Sequence, residues 1–390
     1  MTTSPCIIGW GHSQFGKAAE PTVEALLARV TGEALDHAGI GADEVDGVFV
    51  GVFNSGLSRQ GFEGALVGAA QPELATVPAV HVENACATGS AALYTALDFV
   101  QSGRGRIALV AGAEKMTHAE PAVLNDVLLS ASYRAEEEQA GSFAGVFGDL
   151  ARRYFDRYGD HREALARIAA KNHANGAGNP YAHLRKDLGF EFCNIVSDRN
   201  PVVADPLRRT DCSLVSDGAA AVVVASRDVA VKAQRAVTWR GRAHANDHLP
   251  LSRRGDVLVF GGARRAFTQA MTEAGASLTD LDLLETHDCF TIAELLQYEA
   301  FGLTEVGKGA SAIEDGRTHR GGELPVNPSG GLKAKGHPIG ATGISQHVMA
   351  ALQLTGEAGQ MQIPDAALAG VFNMGGVAVA NYFSVLERWR

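Results

Sequence analysis

Three places in the chain carry side chains suited to nucleophilic and acid–base chemistry. In VENACATGSAALYTALDFV (residues 82–100), Cys86 stands just before a run of small and apolar residues that reads as a helix beginning near Ala87, with Asn84 or a neighbour as its cap. A thiol at a helix N-terminus feels a positive partial charge that lowers its pKa, and the same free N–H groups can hold an oxyanion. A buried, inert cysteine is the competing reading, and local sequence does not separate the two. His287, Asp288 and Cys289 follow the strand LDLLE, and strand ends are where sites form in α/β sheets, although His287 also fits a satisfied core histidine. In NPSGGLKAKGHPIGATG, five glycines surround His337; no GxxxxGK[ST] follows, so this is either a bland turn or a place where backbone approaches a ligand. A thiol nucleophile, two imidazoles and a second thiol together suit acyl transfer through a covalent intermediate.

What positions these residues is an internal repeat. ALDHAGIGADEVDGVFVGVF begins at Ala34 and AMTEAGASLTDLDLLETHDCF at Ala270. Each reads as the end of an amphipathic helix, a stop at Ala38-Gly39 or Ala274-Gly275, an acidic turn with Asp46 or Asp282, and an apolar strand. Downstream, VENACATGS and the strand RIALVAGAE parallel the His337 glycine loop and the strand LAGVFNMGG. Alternating helical runs and short continuous apolar runs predict a duplicated α/β fold with strands buried on both faces. Pseudo-twofold packing of the halves would bring the Cys86 and His337 loops together.

The halves differ in one respect. In the second, VFNMGG runs almost directly into VAVANYFSVLE; in the first, Ile107–Glu114 and its partner strand Asp217–Ser226 are about a hundred residues apart. The intervening stretch contains one clear helix, Arg162 to Lys171, and reads as a lid or ligand-binding subdomain. The predicted organisation is residues 1–117 with 210–235 as the first half, 118–209 as the inserted loop domain and 236–390 as the second half.

Composition narrows the class of function. Hydrophobic residues are 46% and charged residues 20% of 390, and the net charge of −10 argues against a nucleic-acid partner. The N-terminal tract MTTSPCIIGWGHSQFG lacks a basic signal-peptide region, and no window approaches about 18 continuous apolar residues. Cys6, Cys86, Cys193, Cys212 and Cys289 form no CxxC pair, so no disulfide framework, no metal site and a reducing cytoplasmic location are expected.

With these residues in place, the whole chain resembles the thiolase superfamily. NACATGS is similar to its nucleophile motif, GHPIGATG to its GHP histidine motif, VFNMGG to its final glycine turn and AGAEKM to the strand end after the nucleophile helix. HDCF, where NEAF is more common, resembles the sterol-carrier-protein-2 branch and its bacterial and archaeal acetyl-CoA acetyltransferase-like members. No sterol-carrier domain is expected after the last strand. The resemblance implies a duplicated five-layered αβαβα fold with an inserted loop domain. It implies acylation of Cys86 by an acyl-CoA, and activation of that thiol by His337. His287 would act with His337 in one oxyanion hole, and the backbone N–H groups of Cys86 and Gly375 would form the other. Ser213 would lie near the pantetheine; Arg208 and Arg209 are candidates for the CoA phosphates, a solvated turn being their alternative. Many members carry a second cysteine where this chain has Asn373, and Cys289 is the implied replacement.

The implied reaction is CoA-dependent cleavage of a 3-oxoacyl-CoA, or the reverse condensation, with CoA as substrate and no permanently bound cofactor. The alternatives are a retro-aldol lyase or CoA-independent acyltransferase and, from another class, a non-catalytic acyl-CoA or lipid scaffold. A homodimer or tetramer is implied, as is a small OB-fold, zinc-ribbon partner protein.

Overall fold

The computed structural model describes residues 4–390; the N-terminal tract read above for targeting signals begins outside the described residues. The strands are β1 (Cys6–His12), β2 (Gly47–Gly51), β3 (Ala79–Val82), β4 (Ile107–Glu114), β5 (Val202–Ala204), β6 (Leu207–Arg208), β7 (Gly218–Ala225), β8 (Val237–Asn246), β9 (Leu283–Glu285), β10 (Leu368–Gly375) and β11 (Ala380–Arg388). β5 and β6 form a small separate hairpin. The rest run β3-β2-β4-β7-β1 in the first half and β8-β11-β10-β9 in the second, joined where Cys6 and Ile7 of β1 pair with Thr238 and Val237 of β8.

The duplication is visible in this order. β2, β4, β7 and β1 correspond to β9, β10, β11 and β8, and Val326, bridging Leu284 in parallel, stands where β3 does. The helices Val23–Ala38 and Gly261–Ala274 both end on a left-handed glycine, Gly39 at φ 66° and Gly275 at φ 58°, a conformation that costs glycine nothing. Asp46 and Asp282 then do the same job. The Asp46 carboxylate accepts from the N–H groups of Arg106 and Ile107 at the start of β4. Asp282 accepts from those of Ala367 and Leu368 at the start of β10, each at 2.8 Å. Each acidic turn therefore pins the register of the adjacent parallel strand.

Five layers result. Val23–Ala38 covers the outer face of the first half-sheet and Gly261–Ala274 that of the second, while Thr88–Gln101 and Ile339–Thr355 pack together between them. A Cβ on Gly89 would come within 2.9 Å of the Gly340 carbonyl and of Ile344 N, so the two central helices touch backbone to backbone near their N-termini. That contact brings the Cys86 and His337 loops together. The three largest apolar clusters follow these layers, with two smaller ones beside them; a fully buried leucine such as Leu27 or Leu97 contributes about 1.5–3 kcal/mol.

The insertion holds more helix than the sequence reading assigned. Pro121–Leu129, Phe143–Tyr158, Arg162–Ala177 and Phe190–Asn194 are helical, and the one expected helix runs six residues past Lys171. In Phe143–Tyr158 the buried residues Phe143, Val146, Phe147, Leu150, Ala151 and Tyr154 keep helical spacing, a period that the flanking arginines and aspartates obscure.

Replacing Asp282 with alanine removes two charge-assisted bonds to backbone. We expect a loss of about 1–3 kcal/mol in urea unfolding, with Asp282→Asn losing less because it keeps an acceptor. A loss below ~0.5 kcal/mol would contradict the register-pinning role.

Candidate active site

Cys86 lies on a tight turn ahead of the central helix. Asn84 O accepts from Ala87 N, Ala85 O accepts from Thr88 N, and Ala85 is left-handed at φ 48°. A non-glycine residue held there costs on the order of 1–3 kcal/mol, so the turn is over-determined by its surroundings. Asn84 does not cap the helix. Its side chain donates to Tyr382 Oη, and Thr88 Oγ1 instead accepts from Asn84 N.

The thiol is 5% exposed. Burial pushes its pKa up to about 12; the N–H of Gly376 opposes the rise and the charges of Glu114 and Glu83 add to it. Loss of water thus works against the lowering expected from the helix terminus and favours the protonated sulfur. The expected hole residue, Gly375, closes β10 with its Cα against Asn84 O and Ala87; the N–H on the sulfur belongs to the next residue, Gly376.

His337 and His287 converge on this sulfur. Their rings meet edge to face with centroids 5.1 Å apart. Sγ of Cys86 and one ring nitrogen of each imidazole all lie within 4.8 Å of one another. The hydrogen-bond network assigns both tautomers. Thr342 Oγ1 gives its proton to Pro338 O at 2.8 Å, so at 2.6 Å it must accept from Nδ1–H of His337. Nε2 of His337 is then an unprotonated base. Asn373 Nδ2 donates to Cys86 O and to Nδ1 of His287, each at 3.0 Å, leaving the proton of His287 on Nε2. Both Nε2 atoms are buried with no protein partner. One ring thus offers a lone pair and the other an N–H. Burial, helped by the Lys335 charge, lowers the pKa of His337 to about 3; burial, then His337 and Lys335, holds His287 well below its usual value. Burial therefore pushes the thiol and both imidazoles toward their neutral forms.

The loops are held by buried polar contacts. Asp288 accepts from the N–H of Leu332 at 2.6 Å and of Lys333 at 3.2 Å, tying the HDCF turn to the glycine loop. Gly331 sits at φ 57° with its Cα against this carboxylate, and a Cβ would come within 2.4 Å of Oδ2. Asn172, on the inserted helix Arg162–Ala177, donates at 2.7 Å to both Asp288 and Glu294; Lys171 pairs with Glu294 at 2.6 Å. Glu114 accepts from Phe53 N, Asn54 N and Gly340 N, fixing the loop after His337.

Cys289 lines the same cavity of about 220 Å³ as Cys86 and His337. Apolar walls come from Met116, Leu128, Phe143 and Ile339, so the insertion contributes to the pocket. Burial raises the Cys289 pKa well above a free thiol's, with Cys86 and Asp288 adding to it. Ser213, half-buried on the wall, donates its backbone N–H to Cys289 O at 2.8 Å. Arg208 is a correction. Its guanidinium is 2% exposed and is consumed by Asp211, Asn194 O and Arg162 O, leaving nothing for a phosphate. Arg209 is exposed.

Sequence reasoning missed Thr342, Gly376, Asn172 and the positive role of Asn373. One signal was available for the insertion: Lys171 and Asn172 continue the helical stripe of Ala164, Leu165 and Ile168, and polar groups on a buried face need partners.

Comparisons with known proteins agree with this construction. The family described as "Thiolase, N-terminal domain" matches residues 6–228, and "Thiolase C-terminal domain-like" matches 243–388. An acetyl-CoA acetyltransferase of Methanothermobacter thermautotrophicus is 37% identical over 378 residues, covering 95% of this chain and 96% of the relative. Sterol carrier protein 2 of Oryctolagus cuniculus is 33% identical over 80% of this chain and 59% of its own length. A solved structure described as the Ltp2-ChsH2(DUF35) aldolase superposes over 99% of this chain and 98% of its own, with a TM-score of 0.82 at 21% identity. Among the described residues no helix is long and apolar enough to cross a membrane.

Proposed function

Since this chain belongs to the thiolase family, in its sterol-carrier-protein-2-like branch, we propose that it transfers acyl groups through Cys86: it cleaves a 3-oxoacyl-CoA with CoA, or runs the reverse condensation. The observation that carries this reading is the pairing of tautomers around the sulfur. Nε2 of His337 has a lone pair to take the Cys86 proton as the thioester is attacked, and Nε2–H of His287 can donate to an oxygen that becomes negative. Coenzyme A enters as substrate; the exposed Arg209 and the pocket-lining Ser213 are its proposed contacts. Cys289 takes the proton-shuttle role that Asn373, which has no acidic proton to give, does not fill.

An assembly of two chains fits the free edge of β3. Ala79, Val80 and His81 are all exposed there, next to Phe62 at 83% exposure. Edge strands of this kind pair readily with a second copy. Light scattering should give about twice 40.9 kDa, and a mass of one chain would remove the proposal.

The second reading, a thiolase-fold lyase or CoA-independent acyltransferase with a small partner protein, is favoured only by the asparagine at 373 and by likeness to the solved aldolase fold. The test separates them. Incubation with acetyl-CoA should leave one acetyl group on Cys86 by mass spectrometry, and none in Cys86→Ala. His337→Ala should slow acylation by roughly 10²–10⁴. Cys289→Ala should still acetylate while losing turnover with acetoacetyl-CoA. A wild-type chain that never acetylates points to the lyase.

A further inference from the structure

The linear spacing of cysteines and histidines contains no metal motif, yet folding brings three donors to one point from separate loops. Among the described residues, Cys86, His287 and His337 are the trio whose ligand atoms all lie within 4.8 Å of one another. In both rings Nδ1 is engaged, with Asn373 or Thr342, and Nε2 is buried without a partner. Bonds of about 2.0–2.3 Å to a tetrahedral zinc would hold such atoms roughly 3.3–3.8 Å apart, so about an ångström of closure completes the set.

We propose that Cys86, His287 and His337 form a three-ligand site for a thiophilic divalent cation of the zinc class, and that its occupancy blocks the thiol. One sulfur and two imidazole nitrogens select such a cation over magnesium or calcium, which take oxygen. The fourth position faces the pocket. Binding balances as follows: the Cys86 S–H proton leaves to solvent as the sulfur–metal bond forms. His337 needs no change, because its Nδ1–H already rests on Thr342, the second contact a metal-bound histidine usually makes. His287 must move its proton from Nε2 to Nδ1, so the Asn373 amide must turn its oxygen inward and give up its bond to Cys86 O. Asn373 therefore holds the metal affinity down. Nearby charge is mixed, with buried Glu114 favouring a cation and buried Lys335 opposing it.

The block of acyl transfer rests on the function proposed above; the metal site does not. Metal-free full-length protein is titrated with Co²⁺ alone. The expected result is one equivalent bound, with a near-ultraviolet thiolate-to-cobalt band and the visible bands of tetrahedral cobalt, both erased by Zn²⁺ and absent in Cys86→Ala. Asn373→Asp, whose carboxylate accepts Nδ1–H of a metal-bound His287, should bind Zn²⁺ roughly 10–100-fold more tightly in chelator competition. A six-coordinate spectrum without the thiolate band, an unchanged spectrum in Cys86→Ala, or an Asn373→Asp affinity no higher than wild type would each overturn the site. A normal cobalt spectrum with acetylation of Cys86 undiminished by bound Zn²⁺ would overturn the block alone.

Discussion

The active centre depends on one buried carboxylate, Asp288, and on what holds it. It has no arginine or lysine of its own; three N–H donors, from Asn172, Leu332 and Lys333, satisfy it where it is fully buried. Burial and the neighbouring charge of Glu294 push its pKa up to about 7. Glu294 is in turn paired with Lys171 and bonded by Asn172, Asn327 and Tyr298. Burying charge costs several kcal/mol per ion unless geometry returns it, and here Asp288 and Glu294 each accept several hydrogen bonds. Loss of one partner would leave an unpaired buried charge. The network joins the HDCF turn, the glycine loop and the inserted helix into one support for His287 and His337.

That support explains how ordinary residues reach an unusual electrostatic state. Dehydration raises the thiols and lowers the imidazoles, which favours a protonated Cys86 and a neutral His337. A neutral pair costs far less to bury than a thiolate–imidazolium pair. On the proposed function, charge separation is made only when an acyl donor is bound, and Nε2–H of His287 and the N–H of Gly376 are the donors for the negative charge that develops. Asn373 is the pivot of this arrangement: one amide nitrogen fixes both the Cys86 turn and the tautomer of His287.

Sequence and structure agree where local chemistry decides and part where distant contacts do. The duplication was legible because Gly39, Gly275, Asp46 and Asp282 act within a few residues of themselves or at a strand start. Cys86, His287 and Cys289 can be singled out because they sit at strand–helix junctions, and His337 because glycines crowd the turn that carries it between two helices. Arg208 misled because residue type suggested a phosphate ligand, although Asp211, three residues on, already offered the partner it takes. Asn373 read as a missing acid since its partners lie 86 and 287 positions away. The burial of Cys86 is hidden from sequence for a related reason: the helix terminus is local and visible, whereas burial is the sum of loops closing over the thiol.

On the proposed function, the resting thiol is neutral and is activated only by proton transfer to His337 during attack. The most direct measurement is the pH dependence of iodoacetamide alkylation at Cys86, followed by mass spectrometry of that peptide in the free protein. A neutral resting thiol should label slowly at neutral pH, at a rate that keeps rising about tenfold per pH unit, without a plateau, up to the limit of folding. A fast, pH-independent rate between about pH 6 and 8 would reveal a standing thiolate and contradict it.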